Sequence, residues 1–265
     1  MTRSIRQQAQ LATGVCTAAL AIPSAYAADA PPPVGWTGQG QAGAVLERGN
    51  ADTTTADMKL DATDTIDNWK HIAHFAFLYG RSADFTTAQR LEAAWQTNYQ
   101  FGKKAFVFSS INGANDRFDG FVYQVALATG LGYRLIDSET TKLTGTLGFG
   151  YRRLQPEQLV KDPSGRVIDR IKGGSTSDGV GTAGLDYMQQ LTSTTKITDR
   201  LLVQSGGLNT AVANDFALAV NMTNTVALSF GYGLRYNSSP SAGSKTTDQL
   251  TTVNLVYSFN SPTRK

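Results

Sequence analysis

Apolar and polar residues alternate one by one through most of this 265-residue chain, and that period restricts it to strands with one greasy and one hydrophilic face. In 121–134, Phe121, Tyr123, Val125, Leu127, Leu131 and Tyr133 alternate with Gln124, Gly130, Gly132 and Arg134. In 225–236, Val226, Leu228, Phe230, Tyr232, Leu234 and Tyr236 alternate with Thr225, Ser229, Gly231 and Arg235, and 247–259 repeats the pattern through Val253, Leu255, Tyr257 and Phe259. Period 3.6 fits almost nowhere, and no run approaches the ~18 consecutive apolar residues of a spanning helix. Twelve strands are expected at 36–47, 53–63, 69–79, 87–100, 105–113, 121–134, 141–152, 177–191, 195–206, 211–222, 225–236 and 247–259. The facing of 105–113 stays open, because Phe106 and Phe108 lie on one face and Val107 and Ile111 on the other.

Connection lengths sort the strands further. Links after even-numbered strands are short, such as 64–68, 101–104 and 223–224, whereas those after odd-numbered strands tend to be longer, notably 114–120, 153–176 and 237–246. Short turns at one end and long loops at the other are the pattern of a transmembrane barrel with both chain termini on the periplasmic side. Hydrocarbon offers backbone groups no hydrogen-bond partner, so a non-helical chain survives there only as a closed sheet without a free edge. Trp69, Trp95, Tyr99, Tyr133, Tyr151, Tyr236 and Tyr257 fall on the apolar phase near strand ends, where an interfacial girdle belongs. The expected fold is therefore all-β, a single antiparallel transmembrane barrel of about twelve strands over 36–259.

The N-terminal segment carries Arg3 and Arg6, a weakly apolar stretch from Leu11 to Ile22, and Ala25-Tyr26-Ala27 after Pro23, which together read as a secretory signal over 1–27. A Pro-rich linker follows at 28–35, and 260–265 forms a tail after the last strand. The one cysteine, Cys16, lies inside the signal, so the mature chain has no thiol for a disulfide, a zinc–thiolate site or a cysteine nucleophile. Losing Arg3 and Arg6 lowers the formal charge from +3 to +1, which leaves no footprint for nucleic acid.

Alternation assigns the polar phase to the lumen. It carries nine cations, Lys59, Lys70, Arg90, Arg134, Lys142, Arg152, Lys196, Arg200 and Arg235, against the five anions Asp57, Asp61, Glu92, Asp186 and Asp248. Lys59, Arg90, Glu92, Lys142, Arg152, Arg200 and Arg235 are the candidate lumen-lining residues. An excess of one sign concentrates opposite ions, which reads as a weakly anion-preferring pore; the other reading is that the charges pair across strands and plug the barrel. Gly179-Val180-Gly181-Thr182-Ala183-Gly184 matches G-x-G-x-x-G, but a strand rather than a helix follows it, so it is not a phosphate cradle. GLGYR at 130–134, GFGYR at 148–152 and GYGLR at 231–235 place two glycines and an arginine on the inward face, leaving room for long side chains of a neighbouring strand. The two histidines fall on opposite phases, His74 inward and His71 outward, and no H-x-S arrangement occurs, so neither a metal site nor a hydrolase triad is indicated. No cofactor is expected.

Several windows carry a family resemblance: GWTGQGQAGAVLERGNADTTTADMKLD at 35–61, DNWKH at 67–71, NDRFDGFVYQ at 115–124, GLGYRLIDSETTKL at 130–143 and LRYNSSPSAGSKTTDQLTTVNLVYSF at 234–259. Together they resemble the YdiY-like family of salt-induced outer-membrane proteins, a family of unknown function. The resemblance implies a bacterial outer-membrane barrel embedded in lipid and inserted by the barrel-assembly machinery, and it brings no catalytic residues. That family tends to place charges on the inward phase of the third strand, where this chain has Ile72, His74, Ala76 and Leu78. The function expected is a non-enzymatic envelope protein, either a narrow passive pore passing small ions or solutes or a structural barrel tied to salt or osmotic stress. An outer-membrane lipid-active hydrolase and a soluble secreted barrel carrying a small apolar ligand are the alternatives. Such chains commonly finish at the aromatic of VYSF, which here is Phe259 with six residues after it. Deleting 260–265 is therefore expected to leave insertion intact, read as heat-modifiable migration on a gel.

Overall fold

The computed structural model describes residues 35–47, 53–82, 85–116, 121–163, 167–240 and 246–260. The expected signal and most of the linker, and the tail beyond Asn260, lie outside the described residues. Thirteen strands follow in chain order: β1 (Gly35–Glu47), β2 (Thr53–Ile66), β3 (Trp69–Ser82), β4 (Phe85–Gln100), β5 (Ala105–Asp116), β6 (Phe121–Asp137), β7 (Thr141–Lys161), β8 (Val167–Lys172), β9 (Thr176–Gln190), β10 (Thr195–Gly206), β11 (Thr210–Asn221), β12 (Val226–Asn237) and β13 (Thr247–Asn260). All but β8 form one antiparallel barrel, closed where β1 pairs with β13 from Thr37↔Asn260 to Ala42↔Leu255. The twelve-stranded barrel read from the period is what the chain forms, with strand limits within a few residues of those expected except at β7, which runs on to Lys161.

The links between strands take two forms. Residues 153–176 supply the upper part of β7 and then β8, which pairs with Glu157–Lys161 as a hairpin continuing beyond the barrel wall. Strands β3 and β10 run on to Ser82 and Gly206, so their links to β4 and β11 are short, although both lie at the hairpin end. The other end, called here the terminal end, holds Gly35, Asn260 and the short turns such as 67–68, 101–104 and 222–225.

Exposure follows the period. Leu127, Leu131, Leu147, Phe149, Val253 and Leu255 are exposed, while the residues between them, such as Ala126, Arg152 and Asn254, are buried. The greasy phase thus covers the outside, the reverse of a water-soluble carrier, and the outer wall is fit for hydrocarbon. Phe121 is the exception to its expected outward phase. A register shift between Phe121 and Tyr123 turns it inward, where it is buried against Ala114.

β5 is settled by its neighbours. Phe106 and Phe108 point into the barrel and are almost fully buried. They fit because Gly130 and Gly132 of β6 and Gly148 of β7 have no side chain on the inward face: a Cβ at Gly132 would overlap the Phe106 ring, and one at Gly130 or Gly148 would press on Phe108. The repeated glycine motifs therefore receive the rings of β5, and this side of the lumen is packed and dry. On the outside the Phe259 ring lies over Gly38 across the β1–β13 seam in the same way. Gly132→Ala is expected to lower unfolding stability in micelles by about 1–3 kcal/mol through overpacking, and Phe106→Leu in the same chain to recover part of it.

Candidate functional site

The lumen holds a cavity of about 450 Å³ walled by β1–β4, β7 and β9–β13. Its position follows from the packing of β5 and β6: with Phe106 and Phe108 filling one side, the space lies against the charged walls. Of the seven candidate residues, Lys59, Arg90, Glu92, Lys142, Arg200 and Arg235 line it. Arg152 does not. It is 2% exposed near the hairpin end, where Nε and Nη2 donate to Asp178 Oδ1 and Oδ2 at 3.0 and 2.8 Å.

Most lumen charges have a partner on an adjacent strand or, for Arg90 and Glu92 of β4, on their own. Arg200 Nε donates to Asp186 Oδ1 at 2.6 Å, and Arg235 Nη2 donates to both Asp215 oxygens at 2.7 and 2.8 Å. Arg90 Nε stands 3.4 Å from Glu92, and Lys142 Nζ 3.7 Å from Asp137. His74 Nδ1 meets Asp61 Oδ1 at 2.6 Å, with Gln39 Nε2 donating to the other oxygen at 3.3 Å.

The charge excess counted on the inward phase is smaller in the structure. Asp178 and Asp215 also share the inward phase, and Glu139 reaches the cavity from the β6–β7 turn; along the cavity itself the six cations Lys59, Arg90, Lys142, Lys196, Arg200 and Arg235 stand with seven acids. Asp178 and Asp215 were legible by phase, sharing it with Val180 and Ala213. The side chain of Asp248 lies outside the described ones. The three motif arginines stay apart: Arg134 donates to Gln100 Oε1 at 2.8 Å near the terminal end, Arg152 holds Asp178, and Arg235 holds Asp215. Gly179, Gly181 and Gly184 sit within β9 with a β-strand on either side, so the fold supplies no helix N-terminus for a pyrophosphate.

On the outer face all three tryptophans of the chain gather toward the terminal end. Trp36 and Trp95 lie 6.3 Å apart, Trp69 and Tyr99 4.8 Å, and His71 stacks between Trp69 and Trp95. His71 Nδ1 meets Thr97 Oγ1 at 3.1 Å, and that hydroxyl also accepts the Trp95 indole N–H at 3.1 Å. Around Thr97 the backbone is laddered to β3 on one side and β5 on the other, which leaves no pair of N–H donors to hold an oxyanion. Two acids of the described barrel wall break the outer phase: Asp64 of β2, paired with Trp36 and His71, and Asp199 of β10, which accepts from Asn214 Nδ2 at 2.7 Å.

A closed antiparallel barrel with an apolar wall outside and charged side chains inside defines the class of transmembrane β-barrels. Within it, the chain belongs to the DUF481 family, proteins of unknown function, whose model matches residues 40–259. Among curated proteins none matches. Among solved structures it is similar to the NanC porin, at 11% identity and a TM-score of 0.48 over 85% of this chain and 100% of that one. It is also similar to the translocator domain of the autotransporter NalP from Neisseria meningitidis, at 13% identity and 0.43 over 84% and 87% of the two chains. A third similar structure is the outer-membrane channel DcaP of Acinetobacter baumannii, at 8% identity and 0.38 over 84% and 96%.

The Arg152–Asp178 pair is buried, and Asp178 Oδ2 also accepts the Leu208 backbone N–H at 3.1 Å, tying β7, β9 and the β10–β11 link together. Removing one partner leaves a buried charge alone. Asp178→Asn or Arg152→Gln is expected to cost about 3–5 kcal/mol in unfolding of the detergent-solubilised barrel, and the double variant less than the sum.

Proposed function

We propose that this protein is a narrow passive pore for small polar solutes in a bacterial outer membrane, with no enzymatic activity. The observation that carries the reading is the 450 Å³ cavity inside the barrel, lined by ionised side chains rather than filled by apolar ones. A cavity so lined holds water, whereas the β5–β6 side, where Phe106 and Phe108 lie on glycines, does not. Twelve strands with one side filled leave a smaller passage than strand number alone would give. The terminal end faces the periplasm and the β7–β8 hairpin faces outward. Lipid acyl chains cover the apolar wall, with the Trp36, Trp69 and Trp95 cluster at the periplasmic interface. A role in salt stress is part of this proposal only through the family resemblance.

The hydrolase alternative has its best footing at His71 and Thr97, and the engaged backbone around them counts against it. Because the cavity's cations and acids nearly balance, the pore discriminates little between small inorganic ions. In planar bilayers the purified protein is expected to give small conductance steps with a reversal potential near zero under a KCl gradient. A silent protein that cleaves phospholipid would overturn the reading. Phe106→Ala with Phe108→Ala is expected to enlarge the step; an unchanged step would mean that current does not run through this lumen.

A further inference from the structure

Two lumen cations differ from the rest. Among the described residues, Arg90, Lys142, Arg200 and Arg235 each have a carboxylate within ion-pair distance, whereas Lys59 and Lys196, which line the same cavity, have none. The acids nearest Lys59 are already engaged. Asp57 accepts Asn254 Nδ2 at 3.2 Å, Asp61 meets His74 and Gln39, and Asp215 is held at both oxygens by Arg235. The Lys59 ammonium thus keeps donors that no side-chain acceptor of the described wall uses.

Gln41 of β1 stands opposite Lys59 on one side, and the wall on the other side is apolar. Ala76 of β3 stands directly opposite Lys59, with Leu78 one inward position further along the strand. Leu250 of β13 lines the same cavity and is paired with Gly233 of β12, which is paired in turn with Asp215. Gly233 and Gly231 both border the cavity and present no side chain to it. A cavity that holds this ammonium together with Ala76, Leu78, Leu250 and two glycines suits a ligand with an anionic end and a compact apolar body, and its volume falls within the usual range for small-molecule sites. We propose that this part of the lumen is a binding site for a small organic anion, its carboxylate on Lys59 Nζ and its apolar body between Leu78 and Leu250. The inference rests on the pore reading and names the solute class that the pore would pass.

Lys196 supplies the control. It carries the same charge into the same cavity but stands near the terminal end of β10, opposite Gln190 and Ala219 rather than the leucines. The test is calorimetric titration of the purified full barrel in detergent with benzoate and with benzamide, its neutral analogue. Benzoate is expected to bind and benzamide not. Lys59→Gln is expected to weaken benzoate by at least about tenfold, Lys59→Arg to keep most of the affinity, and Lys196→Gln to change it by less than about twofold. Heat-modifiable migration checks that each variant is folded. Absence of benzoate binding, equal binding of benzamide, or an equal loss in the Lys59 and Lys196 variants would overturn the inference. Planar bilayers separate it from the pore reading: conductance without benzoate binding sinks the site alone, and Lys59-dependent binding by a protein silent in bilayers sinks the pore alone.

Discussion

The seam between β1 and β13 is the constraint on which the rest of this molecule depends. Six residue pairs from Thr37↔Asn260 to Ala42↔Leu255 join the first strand to the last and turn a sheet with two unpaired edges into a closed wall. In hydrocarbon each unmatched N–H or C=O would cost several kcal/mol, so closure, and not side-chain packing, is what lets this backbone stand in lipid. Once the wall is closed, alternation has only one consistent solution, with Leu147, Phe149, Val253 and Leu255 outside and Arg152, Thr144 and Asn254 inside. The seam is also where backbone and side chain agree most closely, since Phe259 of the last strand lies over Gly38 of the first.

Inside, two different devices deal with the polar phase. On the β5–β7 side it is small: Gly130, Gly132 and Gly148 accept the rings of Phe106 and Phe108, and the interior there resembles an ordinary core. On the opposite side it is charged, and adjacent-strand pairs such as Arg200–Asp186 and Arg235–Asp215 neutralise most of it. The split explains why a barrel of this strand number holds a moderate cavity rather than a wide channel.

The strands were legible because their signal is local: every second residue reports its face, and twelve runs were long enough to show it. The facing of 105–113 was not, since Phe106 and Val107 are equally apolar and the deciding fact, three glycines on β6 and β7, lies more than twenty residues away in sequence. Phe121 misled for a related reason, as one register shift beside it reverses the phase. Among lumen residues, alternation found the cations and placed six of seven candidates on the cavity. It does not encode which acid stands beside which base, because register is set by turn geometry. Asp178 and Asp215 carried the right phase all along, and with them the apparent cation excess largely disappears.

Pairing has a consequence for how such a lumen can select. A charge already held by a neighbour at 2.6 to 2.8 Å, as Arg200 and Arg235 are, braces the wall and contributes little net field to a passing solute. Selectivity then falls to whichever charges are left without a close opposite and to the apolar surface beside them. In this barrel the third strand turns Ala76 and Leu78 inward beside Lys59, so one flank of that ammonium is apolar. Under the proposed pore reading, discrimination there would depend less on the sign of an ion than on whether the anion brings an apolar body with it.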